Sequence, residues 1–214
     1  MRMAGAVGIL GGTFDPVHVG HLAMAQEAQR QLGLEQVLLI PAGTPWQRAP
    51  EASAQDRLAM VRLAAGTSSL MTVDAREVRR AMPSYTIDTL LELRAEWGPE
   101  RPLWLILGAD AFLNLPTWHR WQELFQYAHI AVACRPGFAL HEKDMTPALK
   151  HELDRRSLPV HQVQGPAGAI VRLTIPLLDI SSSDIRSALR CHRPTGHLLP
   201  ASVLDYIESH RLYP

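Results

Sequence analysis

What the 214-residue chain lacks narrows it first. Cysteine is nearly absent: Cys134 and Cys191 are the only two, with no Cys-x-x-Cys spacing. A disulfide framework and a cysteine zinc centre are therefore excluded, and the pair reads as two buried free thiols in a reducing cytosol. Net charge is missing too, since 21 Lys+Arg face 21 Asp+Glu. Proteins that live on phosphate backbones are basic overall, so nucleic acid is not an expected partner and any anion site must be built locally. No apolar run approaches the ~20 residues of a membrane helix. Arg2 precedes a short apolar run, Met3–Leu10, near the lower limit of a signal-peptide core. Gly11-Gly12-Thr13-Phe14-Asp15-Pro16 follows directly, with no small-x-small cleavage pattern, so the protein is expected in the cytoplasm, off the membrane. Repeats, low-complexity tracts and linkers are absent as well.

What is present is a globular balance, 47% hydrophobic and 20% charged, at a length that suits one domain. Apolar bursts of strand length recur at Ala6–Leu10, Gln36–Ile40, Met71–Ala75, Leu103–Leu107, Ile130–Cys134 and Val171–Ile175, with Leu177–Ile180 a weaker one. They read as continuous runs, the pattern of strands covered on both faces. Helical spacing fills the gaps: His21–Gln31, a helix capped by Ser53 and running to Ala65, Thr86–Trp97 capped by Ser84, Thr146–Ser157, Ser182–Arg190 and Ser202–Arg211. This alternation predicts an α/β fold: a Rossmann-like, doubly wound, mostly parallel sheet with helices on both faces. Residues 1–214 are taken as a single domain with a short C-terminal helical part at about 181–214, and 137–168 as an insertion or edge element.

The first strand runs into Gly11-Gly12-Thr13-Phe14-Asp15-Pro16-Val17-His18-Val19-Gly20-His21, where a helix begins. In open α/β sheets ligands bind beyond the carboxyl ends of strands. Gly11 and Gly12 allow close backbone approach, and Thr13 adds a hydroxyl and N–H donors. His18 and His21 are three apart, which puts both imidazoles on one side of the first helical turn, beside its free N–H groups and positive dipole end. Gly20 leaves room for a bulky group. The result is an anion site with two donors that titrate near neutrality. A zinc reading fails on ligand count, and neither a Walker A loop nor a dinucleotide fingerprint is present.

The chain's other end carries Ile180-Ser181-Ser182-Ser183-Asp184-Ile185-Arg186 at a helix start. Serines there cap the helix or offer hydroxyls to phosphate, and Arg186 lies one turn on. Alone, this string reads as an ordinary cap with a surface arginine.

The string Gly-Gly-Thr-Phe-Asp-Pro-x-His-x-Gly-His-Leu resembles the His-x-Gly-His nucleotidyltransferase superfamily, and within it the bacterial nicotinate-nucleotide adenylyltransferases. Ile180-Ser181-Ser182-x-x-x-Arg186 matches the same branch, and the resemblance spans residues 8–213. It implies an enzyme of NAD biosynthesis that transfers the adenylyl group of ATP to nicotinate mononucleotide, releasing pyrophosphate. It implies that Gly11, Gly12, Thr13, Phe14, His18, His21, Asp110, Ser181, Ser182 and Arg186 bind ATP, with His18, His21 and Arg186 catalytic. Mg²⁺ is expected to arrive with the triphosphate, since no carboxylate cluster for a protein-held metal is visible.

Further strings fit this branch: Pro41–Arg48, Ser84–Leu90, Gly108-Ala109-Asp110, Pro116-Thr117-Trp118 and Arg135-Pro136-Gly137. All lie at strand ends or helix starts. By composition alone Trp118 is a core residue, Asp110 a helix cap and Arg135 a surface charge. The resemblance implies that Trp118 stacks on the pyridine ring, Asp110 holds a ribose, and Arg48, Tyr85, Thr86 and Arg135 bind the nicotinate nucleotide. Thr86 at a helix N-terminus suits a carboxylate, which favours nicotinate over nicotinamide. There are departures. Pro45-Trp46-Gln47-Arg48 stands where Pro-Pro-His-Lys/Arg is usual, Ser183 where Thr is frequent, and His119 where another aromatic is common. Rival readings are the same transfer to nicotinamide mononucleotide or another phosphate acceptor, and a non-catalytic nucleotide sensor. Oligomeric state is left open.

Overall fold

The computed structural model describes residues 5–47, 49–66, 68–134, 142–175 and 180–214. Six strands, β1 (Val7–Gly12), β2 (Gln36–Pro41), β3 (Met71–Val73), β4 (Leu103–Gly108), β5 (His129–Cys134) and β6 (Ile170–Thr174), form one sheet in the order β3-β2-β1-β4-β5-β6. Every pairing between them is parallel. The helices are α1 (Val19–Leu32), α2 (Ala54–Ala65), α3 (Arg76–Arg79), α4 (Thr86–Trp97), α5 (Ala109–Leu113), α6 (Leu124–Tyr127), α7 (Pro147–Arg156), α8 (Ser182–Arg190) and α9 (Ala201–Ser209).

The continuous apolar strands have the cause expected of them. Alternate residues feed two cores, one on each face. Leu10, Val37, Leu39, Trp104 and Ile106 pack with Ala25 of α1, Met60 and Val61 of α2, and Val203 and Ile207 of α9. Ile9, Leu38, Ile40, Leu103 and Leu105 pack with Ile87 and Leu90 of α4, Phe112 of α5 and Leu149 of α7. Each fully buried aliphatic or aromatic side chain contributes roughly 1.5–3 kcal/mol of transfer free energy, which ties both helical layers to the sheet.

Several boundaries differ from the sequence reading. β1 runs two residues further than Ala6–Leu10, because Gly11 and Gly12 pair with Ile40 and Pro41. β3 stops at Val73, short of Ala75. Ser53 caps α2 as expected, accepting from Asp56 N at 3.1 Å. Ser84 does not cap α4. Tyr85 holds the N-cap position, and the Ser84 hydroxyl is turned to another loop. The segment taken as an insertion supplies α7, the crossover between β5 and the edge strand β6. Within Leu177–Ile180, residues 177–179 lie outside the described ones, and Ile180 is not in a strand. Of the two free cysteines, Cys134 is buried but Cys191 is exposed.

β1 and β4 pair only from Val7↔Leu103 to Ile9↔Leu105. β1 stays with β2 to Gly12↔Pro41, and β4 stays with β5 to Gly108↔Ala133. The two central strands therefore part at the point where the strand order reverses, and a crevice opens between their carboxyl ends.

Candidate active site

The crevice has a volume of about 520 Å³, the size of a small-molecule site. Gly11, Gly12, Thr13 and Phe14 from the β1–α1 loop line it, with His21, Tyr85, Thr86, Asp110, Trp118, Ser182 and Arg186. The two distant motifs thus face one hollow. Arg48 and Arg135 lie outside the described residues.

The histidine pair is stacked, with ring centroids 3.7 Å apart and planes inclined by 27°. His18 is the N-cap of α1 in extended conformation. Its backbone N–H donates to His21 Nδ1 at 3.3 Å. With Nδ1 an acceptor, the neutral ring carries its proton on Nε2, so the free nitrogen of His21 is a donor. Phe14, buried at a left-handed φ of 51°, sets its ring edge-on to His21 at 5.0 Å. A bulky residue in that region is strained and is held there by its packing.

Three expectations about this motif change. Among the described residues the crevice wall includes His21 but not His18, which is 6% exposed and sits behind it. The room beside Gly20 is taken by the His18 ring, since a Cβ there would stand 3.0 Å from His18 Nδ1. The pair also does not titrate near neutrality. Burial lowers the His18 pKa to about 4, and burial followed by the charge of His18 holds His21 well below its ordinary value. Both rings are neutral at pH 7 in the absence of an anion.

The α8 side is held just as firmly. Ser182 donates to Pro16 O at 3.0 Å. Arg186, its side chain 12% exposed, donates from Nη1 to Asp15 O at 2.6 Å and from Nε to Glu51 at 2.7 Å. Glu51 also pairs with Arg190, and these two arginines, Arg190 foremost, keep its carboxyl below the usual range. Ser181 is committed elsewhere: it caps α8 by accepting from Asp184 N and, among the described residues, is not in the wall.

Asp15 joins these parts. It is 4% exposed, and its carboxylate accepts from Glu51 N at 2.8 Å, Ala52 N at 3.1 Å and the Tyr213 hydroxyl at 2.8 Å. Burial, and then this bond to Asp15, raise the pKa of Tyr213. Glu51, Arg57, Glu77 and Tyr213 are contributors that motif reading missed. Arg57 carried one signal: it falls on the inward stripe of α2, three and four residues before buried Met60 and Val61. Glu77 is buried in the wall; desolvation raises its carboxyl pKa, and the Thr89 hydroxyl that donates to it at 2.6 Å opposes that rise.

The opposite wall is aromatic. Tyr85 and His119 rings lie 4.5 Å apart, with Trp46 6.3 Å from Tyr85 and 42% exposed at the rim. The Trp118 indole N–H is buried and has no partner among the described residues. Thr86 opens α4 beside them. Among the described residues no group of three or more His, Cys, Asp or Glu is placed to hold a metal, and no helix is long and apolar enough to cross a membrane. The arrangement offers one end rich in anion donors and one end of flat apolar surface.

The sequence pattern of the cytidylyltransferase-like family matches residues 9–188. The chain is 47% identical over 214 residues, 99% of each chain, to a probable nicotinate-nucleotide adenylyltransferase of Dechloromonas aromatica. It is also 47% identical over 210 residues, 97% of this chain and 94% of the other, to one of Laribacter hongkongensis. In fold it is similar to the Plasmodium falciparum nicotinic acid mononucleotide adenylyltransferase solved with NaAD, at TM-score 0.74 and 18% identity over 97% of each chain. The same Plasmodium protein solved with APC superposes at TM-score 0.71 and 18% identity, over 98% of this chain and 97% of the other.

Proposed function

This chain belongs to the cytidylyltransferase-like family, beside the nicotinate-nucleotide adenylyltransferases, and on that premise we propose that it transfers the adenylyl group of ATP to nicotinate mononucleotide. The products are nicotinate adenine dinucleotide and pyrophosphate, a step of NAD biosynthesis. A phosphate oxygen of the mononucleotide bonds to the α-phosphorus of ATP. The bond from that phosphorus to the bridging oxygen breaks, and pyrophosphate leaves with the electron pair. The attacking group is already an anion, so no protein nucleophile or base is required. Catalysis rests on alignment and on donors aimed at the charge that develops.

The carrying observation is that His21 and Arg186, 165 residues apart in sequence, line the same hollow over the Gly11–Thr13 backbone. In this reading His21 Nε2–H donates to the α-phosphate, and His18 fixes the tautomer from behind. Arg186 and Ser182 receive the departing pyrophosphate at the start of α8, while Asp110 takes the ATP ribose. Trp118 and Tyr85 flank the pyridine ring, and Thr86 meets its carboxylate. Arg48 is assigned to the phosphate of the nicotinate nucleotide and Arg135 to binding of the same nucleotide. Among the described residues no acidic cluster stands to cage it, and in this reading Mg²⁺ enters as part of MgATP. Residues 1–214 act as one nucleotidyltransferase unit in the cytoplasm, with α8, α9 and the chain end closing the phosphate side.

The test mixes the full chain with MgATP and nicotinate mononucleotide and follows pyrophosphate. Release that requires both substrates supports the assignment. Tight ATP binding without release would make the protein a nucleotide sensor instead.

A further inference from the structure

Arg57 lies beneath the crevice rather than in its wall. It sits in α2 and is 0% exposed. Among the described residues all its hydrogen bonds go to main-chain carbonyls. Nη1 donates to Thr13 O at 2.7 Å and Ala42 O at 2.6 Å, Nη2 to Gly43 O at 3.1 Å, and Nε to Ala52 O at 3.3 Å. Removing a cation from water is costly, and an apolar side chain would fill the inward stripe of α2 without that cost. The site uses what an apolar chain or a lysine lacks, a planar fork of fixed donors that reaches several acceptors at once.

The acceptors belong to two different loops. Thr13 is in the phosphate loop after β1, and Ala42 and Gly43 follow β2. The parallel ladder between those strands ends at Gly12↔Pro41, with one further bond from Ala42 N to Gly12 O at 2.9 Å. Past that point Arg57 spans the two loops. From the far side Ser84 holds the second loop, its hydroxyl accepting from Gly43 N at 2.9 Å and Thr44 N at 3.3 Å. Ser84 is followed directly by Tyr85 and Thr86 of the aromatic wall. There is no slack at this joint: a Cβ on Gly43 would stand 2.0 Å from Glu77 O. An unbroken run of hydrogen bonds therefore leads from Thr13, through Arg57, Gly43 and Ser84, to the start of α4.

We infer that Arg57 is a positioning residue that sets the separation between the phosphate loop and the acceptor wall, so that the two reacting phosphates meet in line. This rests on the crevice being the adenylyl-transfer site. A displacement of an ångström between reacting groups is enough to lose on the order of 10²-fold in rate.

Two variants of the full chain separate this role from a structural one. Arg57→Lys keeps the charge, and Arg57→Met keeps the length and apolar volume. Pyrophosphate release, ATP binding by calorimetry and thermal melting are measured for each beside the wild type. Wild-type turnover secures the underlying reading, and its absence would strike that reading rather than Arg57. The expected result is a kcat lowered on the order of 10²-fold in both variants, with ATP still bound within about threefold of wild-type affinity. A folded variant of either kind with kcat within about threefold of wild type would overturn the inference, because charge or volume would then suffice. If neither variant folds, ¹⁵N spectra of the wild-type arginine side chains decide. The Arg57 resonances should shift with the ATP analogue alone and with nicotinate mononucleotide alone, and a shift with only one ligand, or with neither, would overturn it.

Discussion

The two ends of the crevice are built on opposite principles. At the phosphate end the groups that face the crevice are bonded in advance, Arg186 to Asp15 and Glu51, Ser182 to Pro16 and His21 to the His18 backbone, while His18 Nδ1 behind them is buried without a partner among the described residues. At the acceptor end the wall is built of rings, with Tyr85 between His119 and Trp46. Among the described residues the buried Trp118 N–H has no partner, and Trp46 is 42% exposed. The first arrangement suits charge that appears in a transition state, because donors fixed in advance need no reorganisation when it develops. The second suits a flat ring recognised by area, where small adjustments cost little. Rate should therefore reside at one end and acceptor affinity at the other.

The sharpest way to break that division is His21→Ala. Loss of one fixed donor should lower kcat by about 10²–10³ and leave KM for nicotinate mononucleotide unchanged. An effect confined to that KM would reverse the assignment of the two ends.

A pH series tests the burial of the histidines without any substitution. The folded pKa of His18 is lowered from 6.5 to about 4. Above pH 6.5 both folded and unfolded states are neutral there, and no stability is lost. Below it the unfolded state takes the proton first, so stability falls as pH drops toward 4, by up to about 3 kcal/mol from His18 alone. Urea melts at pH 7 and pH 4.5 measure this, and His18→Asn should flatten the slope.

Trp118→Ala probes the other end. KM for nicotinate mononucleotide should rise about tenfold, near 1.4 kcal/mol, with kcat kept. A fall in kcat of that size with KM unchanged would mean the ring aligns the reaction rather than holding the acceptor. The smallest effect is expected from Tyr213→Phe, which removes the hydroxyl bonded to Asp15 at 2.8 Å. Asp15 keeps the N–H donors of Glu51 and Ala52, so the loss should be about 1 kcal/mol in melting experiments, with acceptor KM untouched.

The sequence made the sheet and the phosphate loop readable for a physical reason. Strands buried on both faces must be apolar throughout, and the Gly11-Gly12 pair marks the carboxyl end of β1 that lines the crevice. It made the brackets behind the site much less readable. Arg57 and Tyr213 act through carbonyls and a carboxylate that are distant in the chain, and no local spacing reveals such partners. The His18–His21 spacing correctly put both rings on one side. It could not reveal that one ring would screen the other from the crevice, because that depends on how loop 13–17 folds behind the first turn. Ser84 shows the same limit. Its place before a helix suggests a cap, yet its hydroxyl bonds across to Gly43 and Thr44, 41 and 40 residues away.

The most direct trial of the whole account is a competition at equal concentrations of nicotinate and nicotinamide mononucleotides, with MgATP, scoring dinucleotide and pyrophosphate together. The expected result is one pyrophosphate per dinucleotide and a product that is mainly nicotinate adenine dinucleotide. A preference for the nicotinamide product, or ATP held by the protein with neither product formed, would contradict it.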